Sequence, residues 1–172
     1  MEETKMTKKK IFMISLLVIV AIVLILFKIL YKNETNNYTI VTSSSKFYTV
    51  SSCVNRYVNY LYTKDDSKIF EILDSEYKRK NSINKNNLFN KIQKLDKNYS
   101  FEARKMYQEE INENVVKYYV KGYLIENVLS DSLIENGLDF YLIVYLDSKN
   151  STYSVVPYDG KIFLEEEQNE KR

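Results

Sequence analysis

Histidine and tryptophan are absent from this 172-residue chain, cysteine and proline each occur once, and glycine occurs three times. Without histidine, no Cys/His or Ser/His pair can activate a nucleophile and no imidazole can hold a metal. A thiolate at Cys53 would need another base or a nearby cation to form at neutral pH. Position 53 falls on the flank of a helical stripe made by Val50, Val54 and Tyr57, where a free cysteine packs as a small apolar residue. A single cysteine cannot close an intrachain disulfide, and its place far beyond the apolar N-terminal run excludes a lipoprotein anchor. So few glycines leave no Gly-rich phosphate loop and no Gly-x-Ser-x-Gly elbow. The acidic clusters lack the spaced oxygens and glycine of a calcium loop. Asp65 with Asp66 reads as a helix cap, and Glu165, Glu166 and Glu167 read as the start of a solvated, disordered tail over residues 165–172. No cofactor, metal or catalytic residue is expected.

What the chain does have is one long apolar run. Residues 11–27 read IFMISLLVIVAIVLILF, with Ser15 the only polar residue, and Lys28, Ile29, Leu30 and Tyr31 follow. As a helix, residues 11–31 would reach about 30 Å, the thickness of a bilayer's hydrocarbon core. Lys28 can snorkel to the headgroups and Tyr31 suits the interface. A cleaved signal peptide is the rival reading, but no small-x-small cleavage site follows, so the run is read as an uncleaved signal-anchor. Lys5, Lys8, Lys9 and Lys10 precede it, which places a short tail, residues 1–10, in the cytoplasm and the large domain outside a cell membrane.

Charge narrows the partners. Residues 1–32 hold six lysines and two glutamates, net +4, so the whole-chain +2 leaves −2 for residues 33–172. Nucleic acid is not an expected partner of that part. Lys78, Arg79, Lys80, Lys85, Lys91, Lys94 and Lys97 form a local basic stretch that reads as solvated helix faces. The richness in Lys, Asn, Ile and Tyr is what an AT-rich coding sequence produces and suggests a low-GC bacterium. In that setting the Asn-x-Ser/Thr triplets at Asn33, Asn37, Asn98 and Asn150 would carry no glycan.

Residues 32–45 are polar and read as a tether. In residues 46–63, Phe47, Val50, Val54, Tyr57, Val58 and Leu61 recur at helical spacing. A second helix follows a cap at Asp65 and Asp66, with a stripe from Ile69 through Tyr77. A third, over about 84–95, would present Leu88, Phe89, Ile92 and Leu95. After Lys97 the period becomes two. Residues 99–108 alternate Phe101, Ala103 and Tyr107 against Glu102, Arg104 and Gln108. Residues 115–126, VVKYYVKGYLIE, set Val116, Tyr118, Val120 and Leu124 against Lys117, Tyr119, Lys121 and Tyr123. Strands over 137–147 and 152–156 follow, with a short one at 162–164, and 127–136 is a longer connection. Gly122 in mid-strand marks a bulge or bend. The pattern predicts an extracytoplasmic α+β domain over 46–164, in which three helices pack on a curved antiparallel sheet of four or five strands.

Tail, span, tether, helices and then a bent antiparallel sheet resemble, in that order, the nuclear-transport-factor-2-like cone. The likeness extends to the bitopic assembly subunit of conjugative type IV secretion systems. That family's Asn-Pro-x-Gly motif has no counterpart, since Pro157 sits in VPYDG. The resemblance covers about residues 45–164 and implies a protein-binding role in an envelope or secretion assembly.

Pairing of 137–147 beside 115–126 would gather Tyr119, Tyr123, Tyr141, Ile143 and Tyr145 on one outer face. A contiguous aromatic patch edged by Lys117, Lys121, Asp139 and Asp147 has the make-up of an interface for a protein partner or for self-association. The bland reading is that β-sheets tolerate surface aromatics. The alternative function is a small-ligand or lipid-binding cone, with a pocket lined by Tyr57, Phe70, Tyr118 and Phe140. An acid–base enzyme using Asp and Tyr is less favoured, because Asp139 and Asp147 flank a strand on its wet face, although Tyr107 and Tyr118 point toward such a pocket.

Overall fold

The computed structural model describes residues 37–127 and 137–170. The expected tail, the transmembrane helix over 11–31, the first part of the tether and most of the 127–136 connection lie outside them. Among the described residues no helix is long and apolar enough to cross a membrane. The element order is β1 (Thr39–Ile40), α1 (Ser44–Thr63), α2 (Asp66–Ile72), α3 (Ser75–Lys80), α4 (Leu88–Lys91), β2 (Tyr99–Glu110), β3 (Val115–Glu126), β4 (Leu138–Asp147), β5 (Thr152–Pro157) and α5 (Lys161–Glu170). The domain is α+β, with one five-stranded antiparallel sheet in the order β1-β2-β3-β4-β5.

α1 forms where the apolar spacing predicts it. Ser43 caps it by accepting from the Lys46 amide, and Lys64 ends it in the left-handed region at φ 55°. Its stripe, from Val50 to Leu61, is buried against the inner face of the sheet together with Ile69, Leu73, Leu88 and Leu95. Full burial of each such side chain contributes about 1.5–3 kcal/mol. The second expected helix is instead two. Asp74 leaves the helix to cap α3, accepting from the Tyr77 amide at 2.9 Å, while its own amide bonds the Val155 carbonyl of β5 at 3.0 Å. The third expected helix shrinks to the single turn of α4. Asn84 and Asn87 exchange side-chain-to-amide bonds at 2.8 and 3.1 Å and so draw the backbone into turns. Leu88, Ile92 and Leu95 are buried nonetheless.

β3 pairs with β2 on one side and β4 on the other along nearly its whole length. Tyr118, Val120 and Leu124 join the inner core, as the alternation predicts. In β2 strict alternation fails. The register with β3 shifts between Ala103 and Lys105, so Arg104 is an extra residue. Met106, not Tyr107, then enters the inner core, and Tyr107 turns to the outer face, across from Tyr119 and away from Tyr118. The expectation that Tyr107 and Tyr118 share a pocket is thereby corrected.

Both ends of the N-to-C path depart from expectation. The tether's last part is structured: Thr39 and Ile40 pair with Gln108 and Tyr107, and the Val41 amide bonds the Met106 carbonyl at 2.9 Å. Residues 162–164, expected as a strand, and most of the expected disordered tail are in α5. Three apolar residues in a row fit either period, and Asp159 shapes the turn into the helix by accepting from the Lys161 amide.

Each lateral edge of the sheet is covered at one or a few positions. Beyond β1, the Asn55 side chain bonds both the amide (2.9 Å) and the carbonyl (3.2 Å) of Phe101 on β2, in place of a neighbouring strand. Leu73 forms an isolated bridge with Val155 on the far side of β5.

Gly122 sits opposite Ala103, just before the register shift. A Cβ there would lie 2.3 Å from the Glu102 carbonyl oxygen and 2.5 Å from the Phe101 ring. Gly122→Ala is therefore expected to destabilise the domain by about 2 kcal/mol, an overpacking cost, read as a lowered midpoint in chemical denaturation. An unchanged midpoint would mean that Phe101 does not close over the strand.

Candidate functional site

β3 and β4 place Lys117, Tyr119, Lys121 and Tyr123 beside Tyr145, Ile143, Tyr141 and Asp139 in direct cross-strand register. The five residues expected to share the outer face do share it. That face is not open. Tyr119 and Ile143 are each only 9% exposed, in a second core with Tyr107 and Phe163, against which Tyr38, Tyr141, Tyr145, Val156, Tyr158 and Ile162 pack. The chain supplies its own cover, from α5, from the 157–160 turn and from the segment before β1.

Phe163 is the anchor of that cover. At 1% exposure it lies between Tyr107, 5.5 Å away by ring centroid, and Tyr141, stacked at 5.9 Å. Tyr38 adds tilted contacts to Tyr107 at 4.9 Å and Tyr119 at 6.0 Å, and Tyr158 meets Tyr119 edge-on at 5.8 Å. Such ring pairs contribute about 0.5–1.5 kcal/mol beyond their buried area. Gly160, at φ 79°, makes the turn into α5 with Tyr141 directly against it.

The lysines between the tyrosines now have a role. Lys105 reaches Glu166 at 2.6 Å, and the Tyr107 hydroxyl donates to the same carboxylate at 2.7 Å. Lys121 pairs with Glu167. Lys117 pairs with Glu109 at 3.4 Å while lying 4.5 Å over the Tyr119 ring, whose hydroxyl donates to Glu109 at 2.9 Å. The lysine stems cover rings and their heads meet carboxylates. The bonds from Lys105 and Tyr107 hold the Glu166 carboxyl below its ordinary range, and the partnering glutamates push Lys105 and Lys121 up. Glu166 and Glu167 thus belong to a packed layer, in place of the solvated tail expected of them. Tyr123, at the margin, lies half-buried under Arg104, 5.2 Å from its ring.

The expected pocket lining is divided. Tyr57 and Phe140 line a cavity of about 200 Å³ near the end of β4, with Gln93 and Asp139. Tyr118 lines a different groove, and Phe70 packs at the edge of the inner core with the Lys78 ammonium 4.5 Å over its ring. Burial pushes the Tyr57 hydroxyl well above its ordinary range.

The groove beside Tyr118 is the larger feature, about 530 Å³. It opens between α1 and the strand ends, walled by Cys53 and Arg56 on one side and by Val116, Leu146 and Tyr153 on the other. Tyr48 stands at its rim, 76% exposed. Burial pushes the Cys53 thiol up, against an opposing pull from Arg56, so it stays protonated at neutral pH. The Tyr153 hydroxyl is pushed up to about 12, mainly by burial. Asp147 accepts from the Asn150 amide at 3.0 Å and from its side chain at 2.7 Å, bonds that hold it below the ordinary carboxylate range.

Sequence reasoning missed Phe163, Glu166, Glu167, Tyr38 and Tyr158. The signal available for α5 was Lys161 and Glu165 at i, i+4 spacing after Asp159-Gly160. No family model matches the chain, and no curated protein or solved structure matches it.

The carboxylate clamp on α5 sets a pH dependence. Because Glu166 titrates lower in the folded domain than in the unfolded chain, its contribution is complete above the ordinary glutamate range and is lost as pH falls through the depressed value. Amide hydrogen exchange should show residues 161–170 losing protection from about pH 4.5 downward, ahead of β3 and β4. Glu166→Gln should remove that step and leave α5 less protected at pH 7. Equal loss across helix and sheet would mean that the clamp does not hold the helix.

Proposed function

We propose that this chain is a membrane-anchored extracytoplasmic domain that binds another protein within an envelope or secretion assembly, without catalysis of its own. The observation that carries this reading is the chemistry of the outer sheet face, which already receives an amphipathic helix through an aromatic anchor and paired charges. Interfaces between proteins use the same elements. Tyr145 and Tyr123, half-buried at the margins of the covered area, extend the aromatic surface beyond α5. The apolar run at 11–31 and the lysines before it support the anchor and its orientation. The order of elements supports a role like that of the bitopic assembly subunit of conjugative type IV secretion systems.

A non-catalytic role is supported by the site chemistry. The Cys53 thiol is protonated, the Asp147 carboxylate is held low, and Tyr107 and Tyr118 face opposite sides of the sheet. A second reading, small-ligand binding, is favoured by the 530 Å³ groove, whose size is in the ordinary range of ligand sites.

Two measurements test the main reading. A reporter active only outside the cytoplasm, fused after Arg172, should be active in cells, and a cytoplasm-only reporter silent. The reverse would overturn the orientation. A photo-reactive amino acid at position 145 should give a discrete protein adduct in membranes, while one at the exposed Lys85 should not. Identical adduct patterns from the two positions would remove the outer face as the partner's docking surface.

A further inference from the structure

We infer that the groove between α1 and the ends of β3, β4 and β5 is a binding site for a small organic acid, a molecule with an apolar body and one carboxylate, held by Arg56. This rests on the small-ligand reading and names the chemistry of the ligand.

Arg56 projects from the same helix as Cys53, three residues on, and both line the groove. Its charge is felt by two other lining groups, since it pulls down the titration of both the Cys53 thiol and the Tyr153 hydroxyl. Among the described residues, Arg79 and Arg104 reach the carboxylates of Glu76 at 3.9 Å and Glu102 at 3.2 Å, whereas Arg56 forms no ion pair. Arg56 is exposed at the edge of the groove, and a guanidinium there without a carboxylate partner can take one bidentately. Tyr153, which lines the same groove, keeps its proton at neutral pH and can donate to an oxygen of the same ligand.

The remaining lining fits the rest of such a molecule. Val116, Tyr118 and Leu146 form an apolar floor, and Tyr48 at the rim can lie over a bound body. The groove's own carboxylates, Glu113 and Asp147, belong to the turn end of the strands. Neither is among the charges that perturb Cys53 or Tyr153. They would repel an acid placed the other way round and so orient it with its carboxylate toward Arg56.

The test uses the full chain in lipid nanodiscs, with empty nanodiscs subtracted, and calorimetric titration of 2-naphthoate, its uncharged amide and 2-naphthylmethylammonium. Octanoate is a fourth probe that distinguishes an aliphatic from an aromatic body. The acid should bind about tenfold or more tightly than the amide and the cation, as a charge-assisted bidentate bond requires. Arg56→Gln should abolish that preference with an unchanged circular dichroism spectrum, and Arg56→Lys should restore part of it. Ser52→Trp, which fills the groove from α1, should block all naphthyl probes. If the probes bind and Ser52→Trp blocks them, but acid and amide bind alike or the preference survives Arg56→Gln, the acid assignment is wrong while the small-ligand reading stands. If no probe binds, or Ser52→Trp leaves binding intact, both fail.

Discussion

The register of β3 governs everything else in the domain. Its residues are hydrogen-bonded to β2 on one side and β4 on the other, so its side chains are committed alternately to the two faces. Tyr118, Val120 and Leu124 enter the inner core, while Lys117, Tyr119 and Lys121 meet the second layer. A slip by one residue would exchange the two sets, placing lysine heads against α1 and valines against the carboxylates of α5. The strand tolerates only one register because both its faces are occupied.

The two layers are built from different materials. The inner one is largely aliphatic, with Tyr57, Phe101, Tyr118 and Phe140 among it, and closes through α1 and the turns that follow it. The outer one is made mainly of tyrosine rings, Phe163, a few aliphatics such as Ile143, and lysine–glutamate pairs. Tyrosine suits that layer because it can bury its ring while its hydroxyl remains bonded, as Tyr107 does to Glu166 and Tyr119 to Glu109. Lysine suits it because its stem can bury beside a ring and its head can still find a carboxylate. An α5 held by one buried ring and partly exposed charge pairs is more sensitive to pH and salt than the uncharged apolar layer beneath the sheet.

The sequence made some of this legible and not the rest, for physical reasons. α1, β3 and β4 have an unbroken period over ten or more residues, and their faces could be assigned from it. The bulge at Arg104 was invisible because Arg104 and Lys105 have the same polarity, so an inserted residue leaves no mark on the pattern. Helix-compatible spacing at Leu88, Ile92 and Leu95 predicted burial correctly but not helix, since asparagine side chains compete for the backbone. α5 was misread because Ile162, Phe163 and Leu164 fit a strand as well as a helix, and because glutamates beyond an apolar stretch look solvated unless their lysine partners, some sixty and forty-six positions earlier, are brought alongside. The groove depends on how α1 diverges from strands far away in sequence, and no local pattern records that.

The cover on both sheet edges bears on how this domain meets other chains. Unpaired peptide groups at an edge are a template for another chain's strand, the route by which sheets grow into fibrils or exchange segments. Here the Asn55 amide occupies the Phe101 peptide, the short β1 and Val41 pair with residues 106–108 of β2, and Leu73 and Asp74 meet Val155 on the opposite edge. Positions covered in this way are withdrawn from backbone pairing with a neighbouring copy. The domain meets neighbours through side chains on its faces, where recognition depends on which residues are present and not on the peptide groups common to every protein.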